Sequence, residues 1–274
     1  MPRKFLALLL SGLILLNLCA CTDNNTAVSR SAFAYDIDRE SKELVLTYPD
    51  AHTLRINLTD KLMFEGREEG EFDLVACGVS AAAWGDTSAV FIPASYYFPK
   101  QPNLVKISRD NGQTWQDIPI PQEVEGLYNS VLGFKSPDSI WLLQEGDRFL
   151  GHASLYLYTS EDGGQTWTYT QLSGYTDGYP IDEALPLDYI TFITPDEGYL
   201  AVGAGMLGPN PLIYQTTDGG RTWQAGTIQS KVQNDYFQIE DIHYYEDMLI
   251  MTGRLIKGGY LTLTSPDGLS WRQI

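Results

Sequence analysis

The chain has 274 residues, 43% of them hydrophobic and 12% aromatic, enough apolar side chain for a sizeable core. Its 18 basic residues stand against 35 acidic ones, a formal net charge of −17, and such a field opposes approach to DNA, RNA and anionic head groups. The three cysteines are Cys19, Cys21 and Cys77; with Cys19 inside the leader described next and Cys21 directly after it, no disulfide framework is available.

The opening "MPRKFLALLLSGLILLNLCAC" has Arg3 and Lys4 ahead of an apolar run from Phe5 to Leu16. The run is shorter than the roughly 20 residues a membrane span requires, and it reads as a secretory signal. Leu18-Cys19-Ala20-Cys21 resembles a bacterial lipobox. That resemblance implies a signal peptide over 1–20, lipidation of Cys21, and attachment to the extracytoplasmic side of the cell membrane by lipid alone. The polar stretch "TDNNTAVSRS" then serves as a tether over 21–31, leaving 32–274 as the folded body. Cys77, in "LVACGVSAAAW", has the apolar surroundings of a buried, inert thiol.

The body begins with "AFAYDIDRESKELVLTYPDAHTLRINL", which predicts a short strand and then a hairpin turning at Pro49-Asp50. "FEGREEGEFD" (64–73) carries five carboxylates and reads as a solvated face. Four related stretches follow: "SRDNGQTW" (108–115), "SEDGGQTW" (160–167), "TTDGGRTW" (216–223) and the shorter "SPDGLSW" (265–271). Their aspartates, Asp110, Asp162, Asp218 and Asp267, recur about every fifty residues, a period that signals a repeat architecture. An alternating strand precedes each stretch, as in "SLYLYTS" and "GYLTLTS".

Each position has a physical reason. The aspartate accepts N–H groups of the following turn, and Gly112, Gly164 and Gly220 supply positive φ. Trp115, Trp167, Trp223 and Trp271 cover the turn with a large ring whose N–H needs an acceptor. The device is a hairpin clasp, and the carboxylate ladder of a calcium loop is absent from it. "FKSPDSIWLL", "FITPDEGYLA" and "HYYEDMLIMT" align as one innermost element in three units.

The pattern S-x-D-x-G-x-T-W resembles the Asp-box, or BNR repeat, which in that family lies between the third and fourth strands of a β-propeller blade. Sialidases and photosystem II assembly factors carry it. The resemblance implies an all-β fold, a propeller of four-stranded antiparallel blades. The chain length gives about five blades, six if the units are shorter, with four carrying a box. The N-terminal segment carries no box; it closes the ring as its own blade or completes the last one, since the chain stops three residues after Trp271.

Two loops are rich in aromatics: "ASYYFPKQPN" with Tyr96 and Tyr97, and "SGYTDGYPIDEALPLDY" with Tyr175 and Tyr179. Large rings on loops offer contact area at low entropic cost, so these four tyrosines are the candidate ligand-binding residues. A sialidase binds its substrate carboxylate through three arginines and uses a Tyr–Glu pair as nucleophile. Here Leu54-Arg55-Ile56-Asn57 lacks the aromatic and the proline of the family's arginine motif, and Arg148 and Arg254 would be the partners of Arg55. His52, His152 and His243 stand apart without metal-ligand spacing, so no metal or other cofactor is expected. The residues favour a lipid-anchored binding or assembly module whose partner is a protein or a cell-envelope glycan. A divergent sialidase-like exo-glycosidase is the alternative.

Overall fold

The computed structural model describes residues 33–38, 40–58, 64–66, 72–74, 78–93, 103–120, 129–149, 152–175, 178–181, 185–203, 210–232 and 235–274, with the backbone alone for 64–66, 72–74 and 147–149. Among these residues every regular element is a strand. β1 (Ala34–Asp38), β2 (Glu43–Thr47) and β3 (Thr53–Asn57) form an N-terminal sheet, and β4 (Phe64–Gly66) pairs with β5 (Phe72–Leu74). Blade I consists of β6 (Ser80–Trp84), β7 (Thr87–Ile92), β8 (Leu104–Ser108) and β9 (Gln116–Pro119). Blade II follows with β10 (Asn129–Ser136), β11 (Ser139–Phe149), β12 (His152–Ser160) and β13 (Thr168–Ser173). Blade III has β14 (Leu187–Phe192), β15 (Gly198–Val202), β16 (Leu212–Thr216) and β17 (Gln224–Ala225). After β18 (Thr227–Gln229), blade IV comprises β19 (Phe237–Tyr245), β20 (Met248–Leu255), β21 (Tyr260–Ser265) and β22 (Ser270–Gln273). Each blade is an antiparallel meander, and the described residues form an all-β propeller whose four blades I–IV carry the recurring clasp, with the N-terminal sheet and the β4–β5 pair ahead of them.

Apolar layers between successive sheets hold the series together. Leu44, Leu46 and Tyr48 of the N-terminal sheet meet Val90 and Ile92 of blade I. Phe91, Ile107 and Ile118 of blade I meet Leu132, Phe134 and Leu142 of blade II. Leu143, Leu155 and Leu157 pack on Ile190, Phe192 and Leu200 of blade III, and Tyr199 and Ile213 pack on Phe237, Leu249 and Trp271 of blade IV. A strand covered on both sides cannot alternate, and "TSAVFI" in β7 and "GYLAV" in β15 are buried at every position. The faces at the two ends of the series are open instead: Thr53, Arg55 and Asn57 on β3, and Gln238, Arg254 and Tyr260 on blade IV, are exposed.

"FKSPDSIWLL", "FITPDEGYLA" and "HYYEDMLIMT" occupy equivalent places in three blades, and each holds the turn joining the first strand of a blade to the second. Two expectations change in detail. Among the described residues the N-terminal segment pairs with no strand of the last blade. β22 is that blade's own fourth strand, and β18 adds a fifth in parallel, with Thr227, Ile228 and Gln229 opposite Ser270, Trp271 and Arg272. The N-terminal hairpin, read as lacking a box, keeps part of one. "TYPDAHTL" (47–54) lies in register with "TSPDGLSW" (264–271). Ala51 takes φ 68° where Gly268 takes 73°, and His52 N–H donates to Asp50 Oδ1 at 3.1 Å as Leu269 N–H donates to Asp267 Oδ1 at 3.0 Å. β1, β2 and β3 are therefore the second, third and fourth strands of a blade whose clasp has lost its serine and tryptophan.

Candidate functional site

The polar atoms of the clasps are engaged with one another. Asp110 accepts from Ser108 Oγ and Thr114 N–H, each at 2.8 Å, and from Thr114 Oγ1 at 2.6 Å. Asp162 repeats the set with Ser160 and Thr166, and Asp218 with Thr216 and Thr222. The first hydroxyl of each clasp accepts the glycine N–H, as Gly112 N–H to Ser108 Oγ at 2.8 Å. Each Trp indole donates to the carbonyl of Gly112, Gly164, Gly220 or Gly268 at 2.9–3.1 Å. Those glycines take φ of 81°, 87°, 96° and 73°. The Thr114 and Thr166 bonds hold Asp110 and Asp162 down to about 2. At Asp218 burial acts the other way, and the bonds from Thr222 and Thr216 outweigh it, again leaving about 2. Among the described residues no group of His, Cys, Asp or Glu side chains is placed to hold a metal ion.

A second function of the clasp was not visible in the sequence. Its fourth residue, Asn111, Gly163 or Gly219, presents a carbonyl to a donor from the preceding sheet. His52 Nε2 lies 3.2 Å from Asn111 O, Arg109 donates to Gly163 O at 3.0 Å, and Lys135 Nζ donates to Gly219 O at 2.8 Å. The shorter fourth clasp has no such residue, since Asp267 is followed at once by Gly268. There the tie between blades III and IV is a shared carboxylate: Glu197 accepts from Tyr199 OH at 2.6 Å, Gln215 at 3.1 Å and Tyr244 OH at 2.9 Å.

The arginine set of a sialidase is not assembled by the described residues. Arg55 lies on the outer face of the N-terminal sheet and donates to Asp38 at 3.1 Å and Glu43 at 2.9 Å. Arg254, at the far end of β20, donates to Gln238 at 3.1 Å and lies 3.7 Å from Glu240. Arg148 pairs through its backbone with Ala153, and its side chain lies outside the description. The Tyr199–Glu197 pair offers no nucleophile, because Tyr199 is fully buried and burial, then its bond to Glu197, pushes its phenol far above the ordinary value.

The aromatic candidates sit at the opposite end of the blades. Gly163 N–H and Gly219 N–H donate to Asp138 O and Asp196 O, so the clasps and the first turn of each blade share one face. The ends of β7, β11 and β13 are therefore on the other, upper face. Tyr96 and Tyr97, between β7 and β8, lie outside the described residues, as do Cys21 and Cys77. Tyr175 and Tyr179 are described, and two further tyrosines and a histidine of blade II join them. Tyr175 is 53% exposed and stands edge-on to His152 with centroids 6.4 Å apart. Tyr156 and Tyr169 stack at 6.0 Å and 13°, and Tyr179 packs where a side chain on Gly174 would go, 2.5 Å from its missing Cβ. Burial pushes Tyr156 upward, and Tyr169, Tyr179 and Tyr175 add to the effect. The result is a half-exposed aromatic rim on blade II, beside its junction with blade I. The period of "ASLYLYTS" marked Tyr156 and Tyr158 as one face of a strand; nothing in the order of residues joined that face to Tyr175.

Residues 106–117 match the model of the BNR/Asp-box repeat. No curated protein matches the chain at a significant level. Among solved structures the chain is similar to "YCF48 bound to D1 peptide", at 12% identity and a TM-score of 0.47 over 88% of this chain and 64% of that one. It is also similar to "NanB plus Optactamide", at 11% and 0.46 over 72% and 50%, and to a GH74 enzyme of Niastella koreensis, at 16% and 0.44 over 91% and 38%. This chain thus spans less than two thirds of each of them. The fold described above rests on this chain's own sheets and clasps.

Proposed function

We propose that the protein is a non-catalytic binding module of the cell envelope, held to the membrane by lipid on Cys21, whose upper rim takes a protein or glycan partner. What supports this reading is the contrast between two residue sets. Tyr156, Tyr169, Tyr175 and Tyr179 converge on one rim, whereas Arg55 and Arg254 sit on separate sheets and are each engaged by local acceptors. Large amphipathic rings suit recognition, and two cations on separate sheets do not make a carboxylate clamp. The test is turnover of a fluorogenic sialoside by the full chain beside an Arg55→Ala variant. We expect no turnover from either at high protein concentration. Turnover by the parent that disappears in Arg55→Ala would make Arg55 a substrate ligand and establish the glycosidase alternative.

A further inference from the structure

Beneath the aromatic rim, blade II presents a polar row toward blade I. The pairing sets Ser130 opposite Gln144, Gln144 opposite Tyr156, and Tyr156 opposite Gln171. The next row toward the clasps is Leu132, Leu142, Tyr158 and Tyr169, and it packs on Phe91, Ile107 and Ile118 of blade I. Alternation along β11 fixes the direction of Gln144: Leu142 belongs to the layer facing blade I, and Leu143 to the layer facing blade III. Ser130 Oγ reaches Ser80 Oγ of blade I at 3.3 Å and donates to the Gly78 carbonyl. Gln144 is fully buried, yet neither its Nε2 nor its Oε1 has a hydrogen-bond partner within the protein. An amide left so costs about 1–3 kcal/mol for each unsatisfied group, a cost that a bound partner would relieve.

Resting on the binding-module reading, we propose that this row is a subsite for the acetamido group of an N-acetylated sugar in an envelope glycan. Gln144 offers a donor and an acceptor side by side, and the complement of that pair is another amide, whose C=O accepts from Nε2 while its N–H donates to Oε1. The row's other members, Ser80, Ser130, Tyr156 and Gln171, are uncharged, which suits a neutral group and disfavours a carboxylate or phosphate. The acetamido methyl would lie against the Tyr156 ring. The pyranose ring that carries the group would remain outside, against Tyr175 and Tyr179. Because Gln144 is wholly covered, a pendant group would reach it only by moving the side chains above it aside, whereas a peptide backbone would have to thread between the blades.

Calorimetric titration of the full chain in mild detergent tests this. The probes are N,N′-diacetylchitobiose, cellobiose (the same disaccharide with hydroxyls in place of acetamido groups), and the peptide Gly-Asn-Gly-Gly. We expect diacetylchitobiose to bind at least tenfold more tightly than cellobiose. Gln144→Leu should lose at least tenfold of that affinity while melting no lower than the parent, since it removes an unsatisfied amide from an apolar layer. Tyr175→Ala, at an exposed position, should lose severalfold. Equal binding of the two sugars, parental affinity in Gln144→Leu, binding of the asparagine peptide alone, or no binding of any probe would each overturn the subsite. Cellobiose or peptide binding that depends on Tyr175 would leave the broader reading standing.

Discussion

Trp271→Ala is expected to lower unfolding free energy by about 3–5 kcal/mol, the range for truncating a fully buried aromatic. The side chain is wholly covered, its ring meets Tyr199 edge-on at 5.7 Å, and its N–H donates to Gly268 O at 2.9 Å. Truncation therefore opens a cavity in the layer between blades III and IV and leaves a carbonyl without its donor. The equivalent Trp115 is only partly buried, so Trp115→Ala removes less contact and should cost less than half as much. Urea unfolding of the two variants beside the parent checks both values. Equal losses would mean that the last clasp is no more buried in solution than the first.

Lys135→Ala carries the second large effect. The ammonium is almost wholly buried, donates to Gly219 O at 2.8 Å, lies 3.7 Å from Glu161, and sits 4.5 Å from the centre of the Phe192 ring. Burial holds its pKa below the ordinary lysine value, with Glu161 opposing that shift. One cation thus ties blade II to the clasp of blade III and stacks on its core. Removing it orphans the Gly219 carbonyl and empties the space of a long side chain, at a cost of about 2–4 kcal/mol. Lys135→Met keeps most of the volume and loses only the polar tie, so it should cost about 1–2 kcal/mol. Thermal unfolding separates the two. Methionine as damaging as alanine would assign the whole effect to the hydrogen bond and the charge.

Much of the fold was legible because the clasp is local. Aspartate, glycine, threonine and tryptophan lie within eight residues, and their hydrogen bonds close inside that span, so the chain spells the geometry in order. The degenerate clasp at Tyr48–Leu54 was missed because its serine and tryptophan are gone, although Pro49-Asp50 stands in the register of Pro266-Asp267. The ties through Arg109 and Lys135 were hidden for a different reason. They join side chains to backbone carbonyls 54 and 84 residues away, and a carbonyl has no sequence signature. The site behaved likewise: Tyr175 and Tyr179 stood out as loop aromatics, but Gln144 reads as an ordinary strand residue. Only the pairing of β11 with β12 brings it beside Tyr156.

The central claim is that the upper rim of blade II is the face that binds. Hydrogen–deuterium exchange of the full chain, with and without a cell-envelope fraction, tests it most directly. Slowed exchange confined to residues 152–156, 169–175 and 178–181, with the clasp turns at 108–115, 160–167 and 216–223 unchanged, is the predicted result. Protection at the clasp turns with the rim unaffected would contradict it.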